Sequence, residues 1–383
     1  MREPGRTAVG TWSGGRYLHF GEAIEPDRLE ALLRPADDRI DTVLTADAYG
    51  AGEADSLLGR ALDGVDRDSY SLVGAVGHDF YEGERQGPKG YPRFTDPSLR
   101  SDAEFADYLR MAAERSLERL GQDRFDLLLL HNPDRTGYQS EEVWKGMAAL
   151  RDDGIAGAIG IAPGPANGFT LDVIRCLERF GDRIDWAMII LNPFEPWPGE
   201  LCLDAAARHE VRVITRVVDY GGIFWEDVTL ETQLPRGDHR SFRPDGWIAE
   251  GRAKLDRLRP IAEAAGLTAM QLACQWNLAH EAVECVVPTL IQEAGDGARP
   301  IEDKGAELAA LPAEQRIDAP QVEEIRAIGD NAGCMALKGA TPDHTGEERP
   351  DRWPVSDELA EVAGNWGIDP ERDLRNLAAE PAR

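Results

Sequence analysis

The chain has 383 residues, a formal net charge of −28 and 42% apolar residues. That length accommodates two average domains or one large α/β barrel with extensions, and the charge disfavours nucleic acid and anionic membranes as partners. No run of about eighteen uncharged apolar residues suggests a transmembrane helix, and residues 1–10 lack the apolar core of a signal peptide. Five scattered cysteines (Cys176, Cys202, Cys274, Cys285 and Cys334) suit a reduced cytoplasm, with neither a disulfide framework nor a metal site. The expectation is a cytoplasmic protein acting on a small molecule, without metal, with the oligomeric state left open.

Apolar, β-rich segments recur along the chain. The first is TAVGTW (7–12), followed by RIDTVL (39–44), YSLVGAV (70–76), FDLLLL (125–130) and IAGAIGI (155–161). IDWAMII (184–190), VRVITRVV (211–218) and VECVVP (283–288) complete the set. Helical periodicity fills the intervals, starting near residues 26 and 54, running over 102–120 behind a Ser101 cap, and continuing in TLDVIRCLERF and TAMQLACQWNLA. Continuously apolar strands separated by helices imply a parallel sheet covered on both faces. Eight of them favour a closed (β/α)8 barrel over an open sheet, and no GxGxxG fingerprint follows the first strand. A barrel places its chemistry on the loops after the strand C-termini, so Tyr49, His78, His131, Ala162, Asn192 and Asp219 are expected on one rim.

Four segments carry a family resemblance: TADAYGAGEADSLLGRAL, RFDLLLLHNPD, LRDDGIAGAIGI and GLTAMQLACQWNLAHEAVECVVP. Taken in order, from about residue 7 to about 330, they resemble the aldo-keto reductase superfamily. The resemblance implies a (β/α)8 barrel that binds NADP(H) extended and reduces carbonyls. It also implies a tetrad in which tyrosine donates a proton, a lysine–aspartate pair lowers the tyrosine pKa, and histidine orients the carbonyl. Tyr49 matches the tyrosine and His131 the histidine, but the aspartate position is Leu44 and the lysine position is Ala75. None of the five lysines (Lys89, Lys145, Lys254, Lys304, Lys338) stands at that strand end. Tyr49 is therefore expected to titrate near an ordinary phenol unless another cation serves it.

The cofactor positions also depart from the family. Ala162-Pro163 replaces the Ser-Asn that holds the nicotinamide carboxamide, and Met188 replaces a glutamine, while Asn192 nearby is kept. Arg216 stands where many members carry an aromatic stacked on nicotinamide. After the eighth strand, Arg299 is expected to meet the 2′-phosphate, but Glu307 occupies the usual place of an adenine-contacting asparagine. Trp12, His78, Tyr81, Trp197 and Trp225 are expected to line the substrate pocket, with His78 and Tyr81 on a long loop after the third strand.

The chain divides into a barrel, 1–332, and an extension packing on it, 333–383, which carries a short helical piece near 357–365 and candidates such as Lys338 and Trp353 to reach the rim. The leading functional expectation is oxidoreduction of a small, sugar-like carbonyl or hydroxyl compound with NADP(H). Alternatives are a lyase, dehydratase or isomerase using Tyr49 and His131, or a pseudoenzyme.

Overall fold

The computed structural model describes residues 2–36, 40–87, 90–329, 331 and 335–375. Lys89, Cys334 and the first residue of the expected second strand, Arg39, lie outside the described residues.

Eight parallel strands follow one another in chain order: β1 (Val9–Gly10), β2 (Thr42–Leu44), β3 (Ser71–Val76), β4 (Phe125–His131), β5 (Ala156–Ala162), β6 (Trp186–Ile190), β7 (Arg212–Arg216) and β8 (Val283–Val287). A parallel bridge between Thr7 and Val286 closes the seam, with the Ala8 N–H donating to the Val286 carbonyl at 3.0 Å and the Val286 N–H to the Arg6 carbonyl at 3.0 Å. The architecture is a (β/α)8 barrel.

Two apolar layers make it. Residues two apart on the strands (Val73 and Ala75, Leu127 and Leu129, Cys285 and Val287) form the interior cluster, which Leu44 and Met188 join. The alternate residues face outward against the helices, as the period of two requires. Helix Pro26–Leu33 starts where periodicity places it, with proline in its first turn. Helix Phe105–Leu120 is preceded by a short turn at which Ser101 N and Oγ both donate to Glu104 at 2.8 and 2.7 Å, completing the expected cap. β7 is shorter than its apolar run: it stops at Arg216 because Val217 adopts a left-handed φ of 60°. That conformation is costly for a β-branched residue and needs support from its surroundings.

The chain after the barrel docks through Asp172, in the first turn of helix Thr170–Phe180. Its carboxylate accepts the Ala340 N–H at 3.1 Å and the Trp353 indole N–H at 2.9 Å. Gly168 pairs with Lys338 in a parallel bridge, and helix Asp357–Asn365 lies against helix Thr170–Phe180. Trp353 is thus a buried anchor of this segment.

Candidate active site

Tyr49 opens the tight turn that follows β2, and His131 is the last residue of β4. Their rings stand perpendicular with centroids 5.6 Å apart, on the C-terminal side of the interior cluster, and Trp12 meets the other side of Tyr49 edge-on at 6.3 Å. The three side chains come from the ends of different strands and converge because all eight strands run the same way.

The floor under Tyr49 is apolar. Leu44 (1% exposed) and Ala75 (8%) belong to the interior cluster, where the family's aspartate and lysine would stand. Burial therefore dominates the phenol and pushes its pKa up to about 12, against the pull of the Arg216 guanidinium. This corrects the expectation of an ordinary phenol. Among the described residues, each of the four lysines has its own acid: Lys145 with Glu142, Lys254 with Glu250, Lys304 with Asp227 and Lys338 with Asp351. Asp47, two residues before Tyr49, does not stand in for the missing aspartate. Its N–H donates to the Ala75 carbonyl, but its carboxyl lies in the electrostatic surroundings of Asp55, Asp79 and Arg119. Burial first, then the Asp55 carboxylate, holds it far above the usual carboxylate range.

His131 is 8% exposed and its Nδ1 has no hydrogen-bond partner among the described residues. Burial, then Arg93 and Arg216, hold its pKa down at about 3, so the ring is neutral at neutral pH. His78 packs edge-on against it at 5.1 Å and is itself held neutral by burial and by Arg93. His78 begins the long loop after β3, which is tied back on itself by an antiparallel bridge to Arg93. Arg93 Nη1 lies 3.2 Å from His78 Nδ1, and its Nε donates to the carbonyl of Asn132. His78 Nδ1 also lies 3.1 Å from the Tyr91 carbonyl, which can only accept, so the ring proton sits on Nδ1 toward Tyr91 and Nε2 accepts from the Asn132 amide nitrogen at 3.0 Å.

Arg216 reaches over the rim, donating to the carbonyls of Pro163 (3.0 Å) and Gly164. Asn192 sets its direction indirectly: the Asn192 amide donates to Glu195 at 2.9 Å and to the carbonyl of the strained Val217 at 3.0 Å, while its oxygen accepts the Phe194 N–H. Asn192 is thus fully engaged in supporting the β6 and β7 ends, with no free amide hydrogen to offer a cofactor.

The phosphate-facing region between the loops after β7 and β8 is closed by internal pairs. Asp219 accepts the Thr289 N–H at 2.8 Å and the Gly222 N–H at 2.9 Å, placing a carboxylate on backbone donors suited to an anion. Arg240 is held between Asp238 (2.8 Å) and Glu293 (2.5 Å), Lys304 by Asp227 (2.6 Å), and Arg299 by Glu307 (2.6 Å). The cations named here are each compensated, and no residue is assigned to the phosphate arm of NADP(H). Asn192 and Arg299, both expected at the cofactor, are thus engaged internally in this arrangement.

Two expected pocket residues lie elsewhere. Trp225 is fully buried and donates its indole N–H to the Thr289 carbonyl at 2.9 Å, so it is core. The Tyr81 hydroxyl accepts from Arg119 at 3.1 Å in the layer between helices, next to Asp55. Trp197 is tied to Asn331 through its backbone. The residue that sequence reasoning missed is Arg93: nothing local marks it among many arginines, and only the adjoining long loop pointed to that wall.

The sequence model of the Aldo/keto reductase family matches residues 7–294. A 6-dehydroglucose reductase from Agrobacterium fabrum is 24% identical over 320 residues, 79% of this chain and 91% of that protein. Among solved structures, a glycerol dehydrogenase from Gluconobacter oxydans superposes with a TM-score of 0.63 at 22% identity, covering 84% of this chain and 91% of that one. The holo form of an aldo-keto reductase from Bacillus halodurans gives 0.61 at 21% identity, covering 86% and 93%. A parallel eight-stranded barrel with a tyrosine and a histidine facing each other across its C-terminal rim defines the class, and the family match is decisive. This chain is a member of the aldo/keto reductase family.

Proposed function

We propose that this protein is an oxidoreductase acting on the carbonyl or hydroxyl group of a small, sugar-like molecule, with Tyr49 and His131 as the groups that contact the reacting oxygen. The observation that carries the reading is the perpendicular Tyr49–His131 pair at the rim of a barrel of this family. The 6-dehydroglucose reductase relative supports the substrate class.

A phenol with its pKa near 12 is protonated at neutral pH, so Tyr49 holds the proton that a carbonyl oxygen takes up as it becomes a hydroxyl. Neutral His131 orients that oxygen by a hydrogen bond. The phenolate left behind is stabilised by Arg216, the one cation among the described residues that acts on Tyr49 and a partial substitute for the missing lysine. Family membership supports a nicotinamide cofactor as the hydride source. Its phosphate-facing positions are engaged internally, so no residue is assigned to hold it. That same observation favours a second reading, in which the pair moves protons on an α-hydroxy carbonyl without a cofactor.

The test is turnover of glyceraldehyde, D-glucose and D-glucuronate with NADPH and with NADH, following both nucleotide oxidation and the alcohol formed. Stoichiometric alcohol supports oxidoreduction. Isomerised sugar without nucleotide consumption supports the second reading, and no product from any compound rejects both.

A further inference from the structure

Arg93 is a buried cation without an acid. Its residue is 8% exposed, and no carboxylate among the described residues lies within ion-pair distance of its guanidinium. The other deeply buried arginines are matched: Arg100 by Asp79 (2.5 Å), Arg240 by Asp238 and Glu293, Arg243 by Glu195 (3.0 Å). The acids nearest in electrostatic reach of Arg93 are already engaged. Asp134 caps the following helix through the Gly137 N–H at 2.8 Å, and Asp351 pairs with Lys338 at 2.6 Å. Leaving a guanidinium buried and unpaired is expensive, and in a chain of net charge −28 a matching acid would be easy to supply.

What Arg93 does have are neutral neighbours. Nε donates to the Asn132 carbonyl, and Nη1 lies 3.2 Å from His78 Nδ1. Nη2 and the outer hydrogen of Nη1 remain, side by side on the end of the guanidinium, with no acceptor among the described residues. That edge matches two coplanar oxygens. Arg93 stands beside the candidate site: it lies against His78, which packs on His131, and its charge acts on His131, which faces Tyr49. Arg216, likewise bonded only to carbonyls, adds a second cation on the opposite side of the rim.

From this geometry we propose that the substrate carries a carboxylate as well as its carbonyl, and that Arg93 receives the carboxylate end-on while Tyr49 and His131 face the carbonyl oxygen. The inference rests on the carbonyl-acting reading of the same site and narrows it to sugar acids or similar oxo acids. Arg93 is then a specificity-determining residue, held by Asn132 beside His78.

Equilibrium binding tests this separately from turnover. D-glucuronate, D-glucose and D-glucose 6-phosphate are titrated into the full chain, read by calorimetry and by tryptophan fluorescence, to which Trp12 beside Tyr49 contributes. Wild type is expected to bind glucuronate at least about tenfold more tightly than glucose. Arg93→Gln is expected to abolish that preference and Arg93→Lys, which keeps the charge without the fork, to recover part of it. Melting temperatures report whether each variant folds, and the wild-type comparison stands even if neither does. Equal affinity for glucuronate and glucose, or a preference that survives in folded Arg93→Gln, overturns the proposal. Tighter binding of glucose 6-phosphate than glucuronate overturns the assignment to a carboxylate. Carboxylate preference without any turnover supports it while rejecting the oxidoreductase reading, and turnover of neutral sugars alone does the reverse.

Discussion

The Tyr49 and His131 rings stand perpendicular at 5.6 Å, yet among the described residues the layer below them is apolar. In place of an ion pair the barrel supplies Leu44 and Ala75, so the phenol is tuned by burial and by Arg216 from the side. Restoring the family's pair by Leu44→Asp with Ala75→Lys is expected to raise carbonyl reduction by about 10²–10⁴-fold if tuning limits the rate. Either single change puts an uncompensated charge into the apolar interior and is expected to cost about 3–5 kcal/mol, with the double recovering much of it. Chemical denaturation and NADPH oxidation across the four proteins check both halves. A folded, nucleotide-binding double variant with no gain contradicts the tuning argument.

Arg216 is the cation that remains for Tyr49. Replacing it with methionine is expected to lower turnover about tenfold or more, because the phenolate formed on proton transfer loses the one cation among the described residues that acts on it. Arg216→Lys is expected to retain part of the rate. The ratio of the two variants is the measurement, and equal activity in both removes Arg216 from the account.

Acid stability follows from the neutral histidines. His131 has a folded pKa of about 3 against an ordinary 6.5, so below pH 6.5 the unfolded chain takes up a proton that the folded chain refuses. Stability contributed by His131 is whole above that pH and falls by about 1.4 kcal/mol per unit down to about pH 3. Between pH 7 and 5, wild type is expected to lose about 2 kcal/mol more than His131→Asn in urea unfolding. Identical pH slopes would show that the ring is not held neutral by the fold.

The ion pair with Glu307 neutralises Arg299, the cation expected to meet the 2′-phosphate. Glu307→Asn releases it and restores the family's usual residue there. NADPH binding, followed by quenching of tryptophan fluorescence, is expected to tighten about tenfold. Unchanged affinity means that the other internal pairs, Asp219 above all, govern access.

The barrel was legible because parallel strands buried on both faces are continuous apolar runs, and helical periodicity filled every gap. The run through Val217 and Val218 misled at β7, since the turn there depends on the Asn192 amide, which no local pattern announces. Tyr49 and His131 were found through segment resemblance and strand ends. Trp225 was misassigned because an aromatic after a strand reads the same whether it faces the pocket or, as here, donates into the core. Arg93 was invisible for the opposite reason: its significance is the acid it lacks, a property of the tertiary structure alone.

The central claim, that Tyr49 supplies the proton to the substrate oxygen, is tested most directly by single-turnover reduction of D-glucuronate with Tyr49→Phe beside wild type at equal NADPH saturation. The variant removes one hydroxyl and keeps the ring that packs on Trp12 and His131. The account predicts a rate lower by about 10²–10⁴-fold with glucuronate affinity and melting temperature nearly unchanged. A Tyr49→Phe enzyme that reduces glucuronate as fast as wild type would contradict it.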